Sequence, residues 1–176
     1  MQEPFWDMLK DGGKTNSLGR AGEVIAAVLD DKGKLEELFE CLSDEDAWVR
    51  MRAADSLEKI CRLHPDWLTP YIDRLNEEVA GSAQPSLQWH LAQMYGEMAL
   101  SDKQTDFVVD WIKRLLSSEK TDWIVAANAM DTLALFVDKG NISAAEAVFY
   151  FNIQLKHKSK AVVKRANKHI DKLTLG

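Results

Sequence analysis

Val49-Arg50-Met51-Arg52-Ala53-Ala54-Asp55-Ser56-Leu57 decides the fold, because this chain writes the same pattern more than once. Leu87-Gln88-Trp89-His90-Leu91-Ala92-Gln93-Met94-Tyr95 repeats its order of apolar and polar positions, and so does Val125-Ala126-Ala127-Asn128-Ala129-Met130-Asp131-Thr132-Leu133. The three copies begin 38 residues apart, and a fourth begins 37 residues later at Val162. A near-constant period of this length marks an array of helical repeats. One repeat has too little core to stand alone, so neighbours must stack to bury its faces.

Around these copies the apolar spacing is that of helices. Val49, Ala53, Leu57, Ile60 and Cys61 lie on one stripe, as do Leu68, Tyr71, Ile72, Leu75 and Val79, and Phe107, Val108, Trp111, Ile112 and Leu115. Ser101–Gln104 and Ser143–Glu146 have the form of capping boxes. Thr69-Pro70 reads as a cap followed by proline at the first helical position. Glycines near 33, 81 and 140 stand where helices stop. The spacing predicts a lone helix near 18–30 and four helix pairs: 34–43 with 47–63, 67–80 with 86–100, 104–118 with 122–138, and 143–157 with 160–173. One segment argues the other way. Phe149, Phe151, Ile153 and Leu155 alternate with polar residues as in a strand. The preceding cap and the repeat register favour a helix, which would leave Phe149 and Tyr150 pointing beyond one buried stripe and so marks them as a possible interface.

The stretch Leu35–Leu57 resembles a HEAT repeat: an apolar first helix, a turn containing Asp44, then Val49-Arg50 opening an Ala-rich second helix. The resemblance covers roughly residues 33–173. It implies an all-α fold, a right-handed alpha-alpha superhelix of about four two-helix repeats with an N-terminal capping helix. It also implies that Asp44 and Arg50 take part in pairing along the stack. Gln88 and Ala126 stand where later repeats would carry the arginine, so a continuous ladder is not expected. The expected organisation is an N-terminal segment and flexible connector over 1–17, then one repeat domain over 18–176. The apolar patch Pro4–Leu9 either folds back over the first helix or trails free; the need to cover a solenoid end favours the first.

Composition narrows the function classes. The chain has 22 Lys plus Arg against 28 Asp plus Glu, a net charge of −6, which disfavours nucleic acid or an anionic membrane as a whole-molecule partner. No apolar run approaches the ~18–20 residues of a membrane span, and no secretory signal is expected at the N-terminus. Cys41 and Cys61 sit on apolar stripes and read as small buried hydrophobes, compatible with a cytoplasmic location. The four histidines form no HExxH and no His-Glu pair, unlike the metal hydroxylases built on HEAT repeats, so no metal or cofactor is expected. Gly12-Gly13-Lys14 lacks the spacing of a phosphate loop, and no Gly-x-Ser-x-Gly occurs. No catalytic residue is assigned.

Two surface features remain. If the second helices line a concave face, equivalent positions form polar ladders: Arg52, His90, Asn128 and Arg165, and beside them Asp55, Gln93, Asp131 and Lys168. The second feature is positive charge near the C-terminus. Residues 156–172 hold seven Lys or Arg and one acid, leaving 15 basic and 27 acidic residues elsewhere. Lys160, Lys164, Lys168 and Lys172 form one stripe, which is either a solvated cap or a site for an acidic protein segment or a phosphate backbone. Of the six tryptophans, Trp111 is expected in the core, Trp48, Trp67 and Trp123 in gaps between repeats, and the adjacent Trp89 and His90 on different sides of their helix. The expected function is a non-enzymatic scaffold that binds a protein or peptide. The alternative is a nucleic-acid-binding protein similar to the HEAT-like alkylpurine DNA glycosylases, which the acidity opposes.

Overall fold

The computed structural model describes residues 3–12 and 17–175; part of the expected connector, residues 13–16, lies outside the described residues. Among the described residues every regular element is helical and no strand occurs. The chain divides into two compact units, Met1–Ala99 and Leu100–Gly176, a boundary between the second and third sequence repeats.

The first unit contains α1 (Phe5–Lys10), α2 (Ala21–Asp30), α3 (Leu35–Glu40), α4 (Ala47–Leu63), α5 (Pro65–Leu68), α6 (Ile72–Arg74) and α7 (Pro85–Glu97). Its centre is α4, which packs against α1, α2, α3 and α7. The stripe Val49, Ala53, Leu57, Ile60 and Cys61 is fully buried, as the periodicity predicts. Arg52, Asp55, Ser56 and Glu58 are buried as well, because α4 is covered on nearly every side. Buried polar groups must be hydrogen-bonded, and each of these is. Ser56 Oγ donates to Arg52 O at 2.8 Å, Lys59 Nζ to Asp55 Oδ2 at 2.7 Å, and Arg62 to Glu58. Asp46 caps α4 by accepting from Trp48 N at 2.8 Å. Arg50 Nη1 donates to the main-chain oxygens of Asp44 at 2.6 Å and Glu45 at 2.9 Å, and its Nε reaches Gln84 Oε1 at 2.8 Å. Arg50 thus closes its own turn and touches the next repeat through an amide, not through a carboxylate ladder.

The N-terminal patch folds back. Phe5 and Leu9 are fully buried against the surrounding helices, and Phe5 N donates to Glu37 Oε1 at 2.7 Å. The residues expected to be one helix over 67–80 behave differently from their reading. Pro65, not Pro70, stands at the start, and Thr69 Oγ1 bonds back to Pro65 O at 3.3 Å instead of capping. Pro70 therefore falls inside the helical stretch, where it lacks an N–H and crowds the preceding turn. The backbone adapts with a 3₁₀ turn at Thr69–Tyr71 and a π turn at Leu75–Val79.

The second unit is two helix hairpins: α8 (Asp102–Leu116) with α9 (Trp123–Asp138), and α10 (Ala144–Gln154) with α11 (Lys160–Leu175). The strand-like alternation at 148–155 is overruled: the segment lies almost wholly in α10, where Ser143 caps by accepting from Glu146 N at 3.1 Å. The Glu146 carboxylate turns away to Lys113 at 2.5 Å, so only half of this capping box forms. The Ser101–Gln104 box is complete. Gly140 ends α9 at φ +77°, with Asn141 N donating to Phe136 O and Gly140 N to Val137 O at 2.9 Å each, a conformation that favours glycine.

Several polar contacts in each unit share a spacing near the sequence period. In the first, Gln84 bonds Ala47 O and Arg74 bonds Glu36, 37 and 38 residues apart. In the second, the fully buried Gln154 donates to Leu116 O at 2.9 Å and His157 Nε2 to Thr121 O at 2.8 Å, 38 and 36 residues apart. Each contact joins a residue to its neighbour one sequence period away.

Leu57 and Leu133 occupy equivalent positions and are both fully buried. Replacing either by Ala should cost about 2–5 kcal/mol of stability, by lost burial plus the cavity left behind. Urea unfolding followed by helical CD measures this; an unchanged midpoint would show the register to be wrong.

Candidate functional site

The predicted ladder residues divide between the two units. In the first unit Arg52 is 3% exposed, and its guanidinium is turned inward. It donates from Nη1 to Leu9 O at 2.6 Å and Lys10 O at 3.4 Å, and from Nε to Ser17 O at 2.8 Å. It is a clamp on the N-terminal segment and presents nothing to solvent. The approach is so close that a Cβ on Gly12 would lie 1.8 Å from Arg52 Cζ, which explains a glycine there.

Asp55 and His90 are also buried and face each other, with His90 Nε2 3.5 Å from Asp55 Oδ1. The other ring nitrogen, Nδ1, lies 2.6 Å from Ser86 O, and a carbonyl can only accept, so Nδ1 carries a proton. Burial pushes the Asp55 carboxyl up, but the His90 imidazole and the Lys59 ammonium beside it outweigh burial and hold it below the usual carboxylate range. Trp89 stacks on the same imidazole, ring centroids 3.4 Å apart, so the two adjacent side chains lean together despite their different starting directions. Gln93 is half-buried on α7.

In the second unit Asn128 Nδ2 bonds back to Ile124 O at 2.9 Å on its own helix. Asp131 accepts from Arg165 Nη1 at 2.5 Å and from His169 Nε2 at 2.7 Å. The Asp55–His90 and Asp131–Arg165 contacts are equivalent, each joining one ladder to the other in the following repeat. His169 completes the second cluster; its place four residues after Arg165 on one helix face was the available signal.

The lysine stripe is split. Lys172 pairs with Asp138 at 2.9 Å. Lys160, Lys164 and Lys168 are exposed, and none has a carboxylate within 4.0 Å among the described residues. Lys164 joins His157, Lys158, Lys160, Val163 and Asn167 around a recess of about 390 Å³ at the start of α11. Lys158 and His157 escape a reading by helical period because they lie in the turn before the helix. His157 is buried, donating from Nε2 to Thr121 O and accepting at Nδ1 from Ser159 N at 2.9 Å, so it is a fixed wall of the recess.

Aromatic exposure differs in part from expectation. Trp111 is buried, and Trp67 is half-buried against His64 at a centroid distance of 4.2 Å. Trp48 and Trp123 are 37% and 51% exposed, so they lie over helix starts and do not fill gaps. Phe149 is 61% exposed, and its ring meets that of Tyr150 edge-on at 5.2 Å. Cys41 and Cys61 are buried free thiols, pushed up to about 12 chiefly by burial, and are not poised as nucleophiles. No group of three or more metal-ligating side chains comes together among the described residues.

No family model and no curated protein matches this chain. Among solved structures it is similar to the crystal structure of an engineered protein, at 18% identity and a TM-score of 0.52, covering 99% of this chain and 98% of that one. At that identity the likeness speaks for the fold alone.

Two outcomes follow from this geometry. Arg52→Met should leave the Leu9 and Ser17 carbonyls without their donor and lower stability by about 1–3 kcal/mol. Hydrogen exchange should then show lost protection over residues 5–10; unchanged protection would exclude the clamp. A carboxyl held below its unfolded value stabilises the fold above the unfolded pKa, ~3.9 for aspartate, and that contribution disappears as pH falls through the folded pKa. Urea midpoints taken from about pH 6 down to about pH 3 should therefore fall more for the native chain than for Asp55→Asn; parallel declines would remove Asp55 from the acid response.

Proposed function

We propose that this chain is a HEAT-like right-handed solenoid of about four two-helix repeats, acting in the cytoplasm as a non-catalytic scaffold for a protein or peptide. The observation that carries the reading is one spacing that recurs among polar contacts inside each unit. Gln84 to Ala47, Arg74 to Glu36, Gln154 to Leu116, His157 to Thr121, His169 to Asp131 and Lys172 to Asp138 all join residues 34 to 38 positions apart. Contact between nearest sequence repeats is how a solenoid is held together, and such an array offers an extended surface. The exposed Phe149 and Trp123 add the residue types enriched at protein interfaces. No helix among the described residues is long and apolar enough to cross a membrane, and the two free thiols suit a reducing compartment.

Crosslinking mass spectrometry in the native cell tests this reading. Reproducible crosslinks from exposed lysines of α8 and α11 to one protein are the expected result. Crosslinks confined to the chain itself, with the purified chain monomeric, would count against a scaffold.

A further inference from the structure

We propose that the recess at the start of α11 takes a short acidic peptide segment, an inference that rests on the scaffold reading and names the partner's chemistry. Among the described residues seven cations elsewhere are ion-paired, Arg20 with Glu3 and Glu23, Lys59 with Asp55, Arg62 with Glu58, Arg74 with Glu36 and Glu78, Lys113 with Glu146, Arg165 with Asp131 and Lys172 with Asp138, while others such as Lys103 and Lys120 stand singly on the surface. Lys158, Lys160 and Lys164 line one recess of about 390 Å³ without any such partner among the described residues. That volume is in the ~300–1,000 Å³ range of ligand clefts. Three lysines lining one recess in a chain of net charge −6 are a local reversal of its field.

The remaining lining groups choose between kinds of anion. Asn167 Nδ2 donates to Val163 O at 3.2 Å, so its donor is engaged and its Oδ1 is left as an acceptor. Val163 supplies an apolar wall, and both nitrogens of His157 are occupied. The recess therefore offers charged donors, one neutral acceptor and a short apolar surface. A peptide bearing successive carboxylates answers all three, with anions for the lysines, a backbone N–H for Asn167 and aliphatic carbons for Val163. A DNA phosphodiester backbone has no donor for Asn167, and in RNA only the ribose 2′-hydroxyl could serve. A long polyanion must also approach a molecule whose residues outside 156–172 carry 27 acidic against 15 basic side chains.

Fluorescence polarisation with a short labelled peptide of alternating aspartate and glutamate tests the proposal on the full chain. Saturable binding that weakens with added salt is expected, together with little binding of the glutamine counterpart. Lys160→Glu with Lys164→Glu should weaken binding about tenfold or more, a loss of about 1.4 kcal/mol or more. Lys103→Glu, on an exposed residue of α8 outside the recess, should change it less than about twofold. Amide NMR shifts of the native chain on adding the peptide should concentrate at 157–168, a reading that does not depend on any variant folding. Equal losses in the two variants, tighter binding of a single-stranded oligonucleotide, shifts elsewhere, or no saturation at millimolar peptide would each overturn the proposal. Crosslinks to a partner through another surface, with no peptide binding here, would leave the scaffold reading standing and remove this one.

Discussion

A helix pair of this length cannot bury its own apolar faces, and that constraint governs each unit of the molecule. The second helix of a repeat must be covered from more than one side, as α4 is by α1, α2, α3 and α7. Complete cover has a chemical consequence. Polar residues on such a helix lose water, and each must find a partner on its own helix or in the adjoining repeat. The buried Asp55 therefore meets His90, and the buried Gln154 meets the carbonyls of Leu116 and Ser118. The repeat is an apolar period and also a period of polar contact.

Arg52 is the sharpest instance. A guanidinium at 3% exposure requires several acceptors, and the N-terminal segment supplies them as main-chain oxygens. The residue that ties α1 down is one that a helical wheel would assign to a binding face. Gly12 belongs to the same device, since a side chain there would occupy the space of the guanidinium. The Phe5–Leu9 patch thus covers the first unit by apolar burial and is tied down at one end by Glu37 and at the other by Arg52.

The basic end of the chain divides by the same logic. Arg165 and Lys172 face Asp131 and Asp138 on α9 and are neutralised there. Lys160 and Lys164 lie toward the other end of α11, around the recess, where no carboxylate meets them among the described residues. The positive ends of helix backbones also favour anions at that end of α11. Charge that looks uniform along the sequence divides into cations paired across to α9 and cations left open.

Local information determined the helices. The stripes through Leu57 and Leu133, the Asp46 and Ser101 caps and the Gly140 stop all depend on residues within a few turns of one another. Their physical causes, backbone hydrogen bonding and side-chain period, act over that range. Local signals misled at Thr69-Pro70, where packing puts Pro65 at the helix start and leaves Pro70 to distort the backbone, and at Glu146, whose carboxylate leaves the expected capping box for Lys113. The fate of each polar side chain was not legible in the same way. Whether Arg52 faces water or the Leu9 carbonyl, whether Arg165 meets Asp131, and whether Lys158 joins Lys164 around one recess depend on groups brought together from different elements. Sequence period places a residue on a face of its helix. Only the tertiary structure decides what lies opposite that face, because burial and Coulomb interaction act through space.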